Sequence, residues 1–272
     1  MLDLLEQLFL QVRSYIQSEH VNRNRIYGQF AGHTTMQFDR EAEDIIINGL
    51  YASGYGFEIA TEERPVVTTL PTPSYRIVID PVDGSTNVTR GIMTAAVSLT
   101  VLPIDAPISP EHVQWSLVGE LFSGVIYKAQ HGGGAFCDGQ RCQVSNTTSL
   151  QECLSGMNFD GRDLNSLQKL IVEPPTLGKV RRTGSSAMDI VYVASGAYDA
   201  YIDIGDVITA ESFLAAVSIV VEAGGIVSDQ HGKNLRHINN LTEGFSLVVA
   251  GTKELHAAIL AKINARPASP IT

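Results

Sequence analysis

IVIDPVDGSTNVTRG, residues 77–91, runs a β-branched apolar strand into two aspartates, Asp80 and Asp83, and then into a small-residue turn able to open a helix. A strand ending in acids delivers carboxylates to a defined spot. The DxxD spacing lets both reach one hard cation or bridge two, because carboxylate oxygens suit Mg²⁺, which keeps waters for a substrate. Pro81 fixes φ and removes a donor, which helps hold the turn with the Val82 carbonyl pointing inward. GSTN then offers backbone N–H groups at a prospective helix N-terminus, an anion site. Cation ligands beside an anion cradle point to phosphate chemistry. The plain alternative is that both aspartates cap the turn and the helix through side-chain to backbone bonds. An EF-hand is excluded, since its loop needs acids at alternate positions and a later Glu. An aspartyl-phosphate phosphatase would separate its aspartates by one residue, and here two intervene.

The rest of the chain sets bounds on that reading. Its 272 residues are long enough to bury a sizeable core as one domain or two closely packed ones, and with 44% apolar and 18% charged residues the class is soluble and globular. A net charge of −10 and a pI near 5.1 argue against nucleic acid as the main partner, because phosphate backbones need a massed basic surface. The first twenty residues read as an amphipathic surface helix with early acids, not a signal peptide, and no apolar run approaches the roughly 20 residues of a membrane span. Cys137, Cys142 and Cys153 are odd in number and lack CxxC spacing, which fits a reducing compartment and makes cytoplasm the expected location.

Along the chain, a polar, turn-prone stretch at 22–37 is followed by a helix over DREAEDIIINGLYASG ending at Gly54, then by a short strand in FEIATEERP that leads to Glu62 and Glu63. TAAVSLTVL and VQWSLVGELFSGVIYKAQ read as further strands, and GGGAFCDGQ as a hairpin with a DG turn. From about residue 147 strands and helices alternate. The expectation is an α+β half over 1–146 carrying the metal motif, then an α/β half over 147–272 carrying substrate segments, packed as one unit.

The pieces then fall into a known order. Glu62 and Glu63 in ATEERP, VIDPVDGSTNVTRGIMTAAVSL, GGGAFCDGQ, RTGSSAMDIVYVASGAYDAYID and VVEAGGIVSD resemble the inositol monophosphatase family of metal-dependent sugar-phosphate phosphatases, over roughly residues 39–230. The resemblance implies a layered αβαβα sugar phosphatase fold and hydrolysis of a small phosphate monoester by in-line attack of an activated water, with inositol monophosphate as the family default. It makes Glu62, Asp80 and Asp83 ligands of Mg²⁺, with the Val82 carbonyl. Gly84, Ser85 and Thr86 would hold phosphate, and the Ser85 hydroxyl with Glu62 would orient and deprotonate the water. Gly184, Ser185 and Asp203 would meet the substrate. Two or three Mg²⁺ ions, Mn²⁺ as a substitute, and a homodimer are implied as well. Charge supports the metal independently: clustered carboxylates repel one another and a dianionic ester unless divalent ions neutralise them.

One departure matters most. Counting back from Glu222, the family's second-metal Asp falls on Ser212 and the preceding Trp on Glu211, and the stretch from Gly205 to Ser212 is about two residues longer than usual. Three readings stand: Glu211 supplies the ligand, Asp206 reaches in from the longer loop, or the second site is weak and Ser212 serves only near the helix cap. The last would make the chain a slow or degenerate phosphatase, or a non-catalytic sugar-phosphate binder. Fructose 1,6-bisphosphate, a nucleotide 3′-phosphate and a dinucleotide phosphate are the other substrates this scaffold takes. The family's mobile-loop Lys is also missing between Arg25 and Asp39, where His33 is either a local substitute for that charge or a solvated loop histidine. Arg181 and Arg182 are candidates for a second phosphate or a carboxylate. Trp115, Met188 and Tyr192 read as core, and Cys137 has no His partner that would make it a nucleophile.

Overall fold

The computed structural model describes residues 1–19, 21–30, 33–61 and 64–265. Leu5, Leu8, Phe9, Val12 and Ile16 recur at helical spacing and form the buried stripe of α1 (Leu2–Ile16). The stretch expected to be polar turns instead pairs as an antiparallel ribbon of β1 (Ile26–Phe30) and β2 (His33–Met36). Ile26 and Tyr27 are exposed there, so at those apolar positions burial writes no period of two into the sequence. Met36 leads into α2 (Gln37–Ala52), where the Asp39 carboxylate accepts the Met36 N–H at 3.1 Å and Gly54 stops the helix at φ +75°.

The larger sheet has the order β10-β9-β8-β7-β6-β5-β3-β4, from β3 (Phe57–Thr61), β4 (Val67–Thr68), β5 (Tyr75–Asp83), β6 (Ala96–Pro103), β7 (Trp115–Glu120), β8 (Ile126–Gln130), β9 (Gly134–Cys137) and β10 (Gln140–Arg141). Its pairs are antiparallel except the parallel β3 and β5. Asp138 and Gly139, both at positive φ, make the tight turn between β9 and β10. The short helix α3 (Ser85–Arg90) leaves the end of β5. The second sheet, β12-β11-β13-β15-β14, is built from β11 (Leu154–Met157), β12 (Lys179–Arg181), β13 (Ala200–Ile208), β14 (Ile226–Ser228) and β15 (Phe245–Ala250), interleaved with α4 (Leu164–Ile171), α5 (Ser186–Ala194), α6 (Ala210–Glu222) and α7 (Lys253–Ile263).

Side-chain parity stacks these into five layers. Ile77, Ile79, Leu99 and Leu117 face α1 and α2, packing with Phe9, Ile46 and Leu50. Val78 and Val118 face the opposite way, onto Ile190 of α5 and Phe213 and Val217 of α6, which also cover Tyr201, Leu247 and Val249 of the second sheet. Ile202, Ile204 and Val248 look outward onto Leu170 of α4 and Ile259 of α7. The result is the αβαβα order the resemblance implied. α6 is buried on nearly every side because it lies between two sheets. Among the described residues no helix is long and apolar enough to cross a membrane.

Close approach at one point sets how α1 seats. A Cβ on Gly119 of β7 would lie 2.3 Å from the Phe9 ring, which is fully buried. Gly119→Val should therefore cost about 1–3 kcal/mol by overpacking, read as a lower Tm in circular dichroism melts. An unchanged Tm would contradict this packing.

Candidate functional site: an acid pair at the end of a bulged strand

On β5, Asp80 pairs with Ser98 and Asp83 with Ala96, so three steps on one strand match two on its neighbour. The extra residue is a β-bulge at Pro81 and Val82, where a missing N–H does least harm. Parity confirms the slip: Val78 belongs to the middle layer, whereas Val82, four residues on, belongs to the α1 and α2 side. In an unbroken strand Asp80 and Asp83 would point to opposite faces. With the bulge both face the middle helices. The sequence reading placed Asp83 on a turn after the strand; the strand runs through it.

Asp80 is buried, its Oδ1 accepting the Val82 N–H at 3.1 Å and its Oδ2 the Ser212 hydroxyl at 3.1 Å. Asp83, also buried, takes on Oδ2 the Ser185 hydroxyl at 2.5 Å and the Ala187 N–H at 2.7 Å. Burial pushes its carboxyl up to about 6, against the pull of those two donors. Asp189, buried beneath Thr183, is raised to about 7 for the same reason.

Gly84, at φ +105°, turns the chain into α3. The Asn87 and Val88 N–H groups close on its carbonyl, which leaves those of Ser85 and Thr86 as first-turn donors. Met36, Ser85, Thr86, Thr89 and Arg90 line a cleft here. The Ser85 hydroxyl lies 2.8 Å from Asp39 Oδ1 and 2.9 Å from the Val82 carbonyl. Asp39 was visible in the sequence only as an acid at a helix start; its approach to Ser85 is a tertiary contact. Asn87 was passed over too. Its Nδ2 donates to the carbonyls of Thr94 and Thr183, both at 2.8 Å. Gly184 is held at φ +88° and a Cβ there would meet the Asn87 amide at 2.8 Å, so the two small-residue turns sit back to back.

Other candidates go elsewhere. Ser212 stands on the first turn of α6 against Asp80, and Glu211 beside it is buried, its carbonyl accepting the Ser98 hydroxyl at 3.0 Å. The longer loop is absorbed as a bulge in β13, where the five steps from Asp203 to Ile208 match two steps on β15. There the Ser246 hydroxyl accepts the N–H groups of Gly205 and Asp206 and donates to Asp206 Oδ1 at 2.8 Å. Asp203 is fully buried, gripped by Nε and Nη2 of Arg162 at 2.7 and 2.8 Å, with Asn158 and the Tyr201 hydroxyl as further donors. Arg182 pairs with the exposed Asp160. Met188 is buried, and Tyr192 stacks edge-on with Tyr198. Trp115 does the same with Tyr75. Cys137 is a free thiol raised by burial. Glu62, Glu63 and the His33 side chain lie outside the described residues.

Among the described residues no group of three or more His, Cys, Asp or Glu side chains converges. The donor chemistry nevertheless fits a hard divalent cation. Asp80, Asp83 and the Val82 carbonyl supply oxygen only, and no described residue bonds to Asp83 Oδ1, although burial makes its charge costly. Two larger cavities, of about 570 and 580 Å³, share no residue with these acids.

Its relatives place the chain among phosphoric monoester hydrolases. Comparison gives the particular family: the inositol monophosphatase family profile matches residues 7–268, and the chain belongs to it. Members of this family are in general metal-dependent. The chain is 31% identical over 238 residues to a fructose-1,6-bisphosphatase/inositol-1-monophosphatase of Methanothermobacter thermautotrophicus, covering 84% of this chain and 83% of that one. It is 31% identical over 245 residues to an inositol-1-monophosphatase of Mesorhizobium japonicum, covering 86% and 84%. The crystal structure of the extragenic suppressor protein suhB from Bartonella henselae has the same fold, with a TM-score of 0.80 at 24% identity over 97% of this chain and 98% of that one.

Asn87→Ala removes a donor from two carbonyls at once. It should destabilise the protein by about 1–3 kcal/mol, measured by urea unfolding; a smaller effect would mean that water replaces the amide.

Proposed function

We propose that the chain is a Mg²⁺-dependent phosphomonoesterase acting on a small sugar or polyol phosphate, with inositol monophosphate the first candidate. The observation that carries this is the β5 bulge, which turns Asp80 and Asp83 to one side directly ahead of the first-turn N–H groups of α3. Asp80, Asp83 and the Val82 carbonyl, with Glu62, would hold the metal, and Glu211 would serve a second ion. Bound there, Mg²⁺ supplies Lewis-acid stabilisation of the phosphoryl group and its leaving oxygen. Gly84, Ser85 and Thr86 receive the phosphate on backbone N–H groups. The Ser85 hydroxyl, fixed by Asp39, orients the attacking water and passes its proton toward carboxylate. Gly184 borders the rest of the substrate, whereas Asp203, fully buried and gripped by Arg162, has no exposed atom to offer it. The reading extends, by kinship, to two or three Mg²⁺ ions with Mn²⁺ as a substitute, and to a cytoplasmic homodimer.

Fructose 1,6-bisphosphate is a second reading. It draws on relatives bearing that name and on Arg182, two residues before Gly184, whose exposed ion pair with Asp160 a second phosphate can replace.

Purified protein with Mg²⁺ should release inorganic phosphate from at least one ester in a panel of inositol, fructose and nucleotide phosphates, and EDTA should abolish the release. Asp80→Asn should lower kcat/KM more than a hundredfold, since it weakens both the metal site and the Ser212 contact. Turnover unchanged in that variant refutes the assignment.

A further inference from the structure

The Ser185 hydroxyl is fully buried, and it both donates and accepts a hydrogen bond. Its proton goes to Asp83 Oδ2 at 2.5 Å, and its lone pair accepts the Met188 N–H at 3.3 Å as the cap of α5. One side chain thus ends a nine-residue helix and grips a carboxylate 102 residues earlier in the chain. The Ala187 N–H, in the first turn of the same helix, holds the same oxygen at 2.7 Å. Two donors on Oδ2 and none from the described residues on Oδ1 leave the carboxylate one orientation. A helix N-terminus also favours the ionised form of the group placed against it.

We infer that Ser185 is a positioning residue for Asp83 and does not touch the substrate: with Ala187 it clamps Oδ2 so that Oδ1 is presented to a divalent cation. This rests on the proposed metal-dependent function and refines it. α5 belongs to the middle layer and contributes no carboxylate to the pair, yet it determines how one of the two acids points. The grip crosses from the first sheet to the helices of the second half, so the acid pair reaches its final geometry only when both are docked.

The test is calorimetric titration of Mn²⁺ into the full-length protein, beside the Mg²⁺ dependence of phosphate release. Partners that orient a metal ligand are commonly worth ten- to a hundredfold in metal affinity. Ser185→Ala should therefore weaken Mn²⁺ binding at least about tenfold and raise the Mg²⁺ concentration for half-maximal rate in parallel, with the ester KM at saturating Mg²⁺ within about twofold of wild type. Ser185→Thr, which keeps the hydroxyl, should recover most of the affinity. If Ser185→Ala fails to fold, Ser185→Cys, nearly equal in volume but a weak donor, carries the same test with a loss of about threefold or more. A raised ester KM with unchanged Mn²⁺ affinity makes Ser185 a substrate contact and overturns the inference, as does a variant unchanged in both. If no ester is hydrolysed the proposed activity falls, while the Mn²⁺ comparison still decides the role of Ser185.

Discussion

One inserted residue in β5 governs the arrangement of the site. Strand geometry sends residues three apart to opposite faces, which would bury one of Asp80 and Asp83 against α2 and the other against α6. The bulge at Pro81 and Val82 cancels that alternation and delivers both carboxylates to the middle layer. Pro81 suits the break because it has no N–H to offer the β6 ladder.

Placing two acids beneath a layer of apolar helices is unfavourable unless they are met by donors. The middle layer supplies these from its helix starts. α5 offers Ser185 and the Ala187 N–H to Asp83, and α6 offers Ser212 to Asp80. Both helices are otherwise apolar on nearly all sides, as elements between two sheets must be, so their polar chemistry is concentrated at the ends that reach the acids. Asp83 still sits above the usual carboxylate range, because burial outweighs the two donors it receives. Asn87 and the facing pair Gly84 and Gly184 lock the two turns against each other, because a side chain on either glycine would occupy its neighbour's space.

Much of this was legible beforehand, and the misses share a cause. Helices α1 and α2, the strand around residues 77–80 and the DG hairpin follow from local rules of period, capping and turn chemistry. The ribbon of β1 and β2 was missed because its apolar residues Ile26 and Tyr27 are exposed and show no buried period. Asp39 was legible as a helix-start acid but not as the partner of Ser85, 46 residues away. Ser212 was marked by its place relative to EAGG as the point where the family pattern lapses, yet its bond to Asp80 spans 132 residues.

The sequence by itself therefore determined many of the elements and the phosphate-type motif, because hydrophobic period and turn chemistry act over a few residues, and its resemblance to a known family implied the layered fold. Tertiary structure alone decided that Asp83 turns to the same side as Asp80, that Ser185 grips it, and that Asp206 is tied to Ser246 in the β13 bulge. Those outcomes depend on register between strands and on helices docking across the sheet, and no local stretch of sequence encodes a contact whose other half lies a hundred residues away.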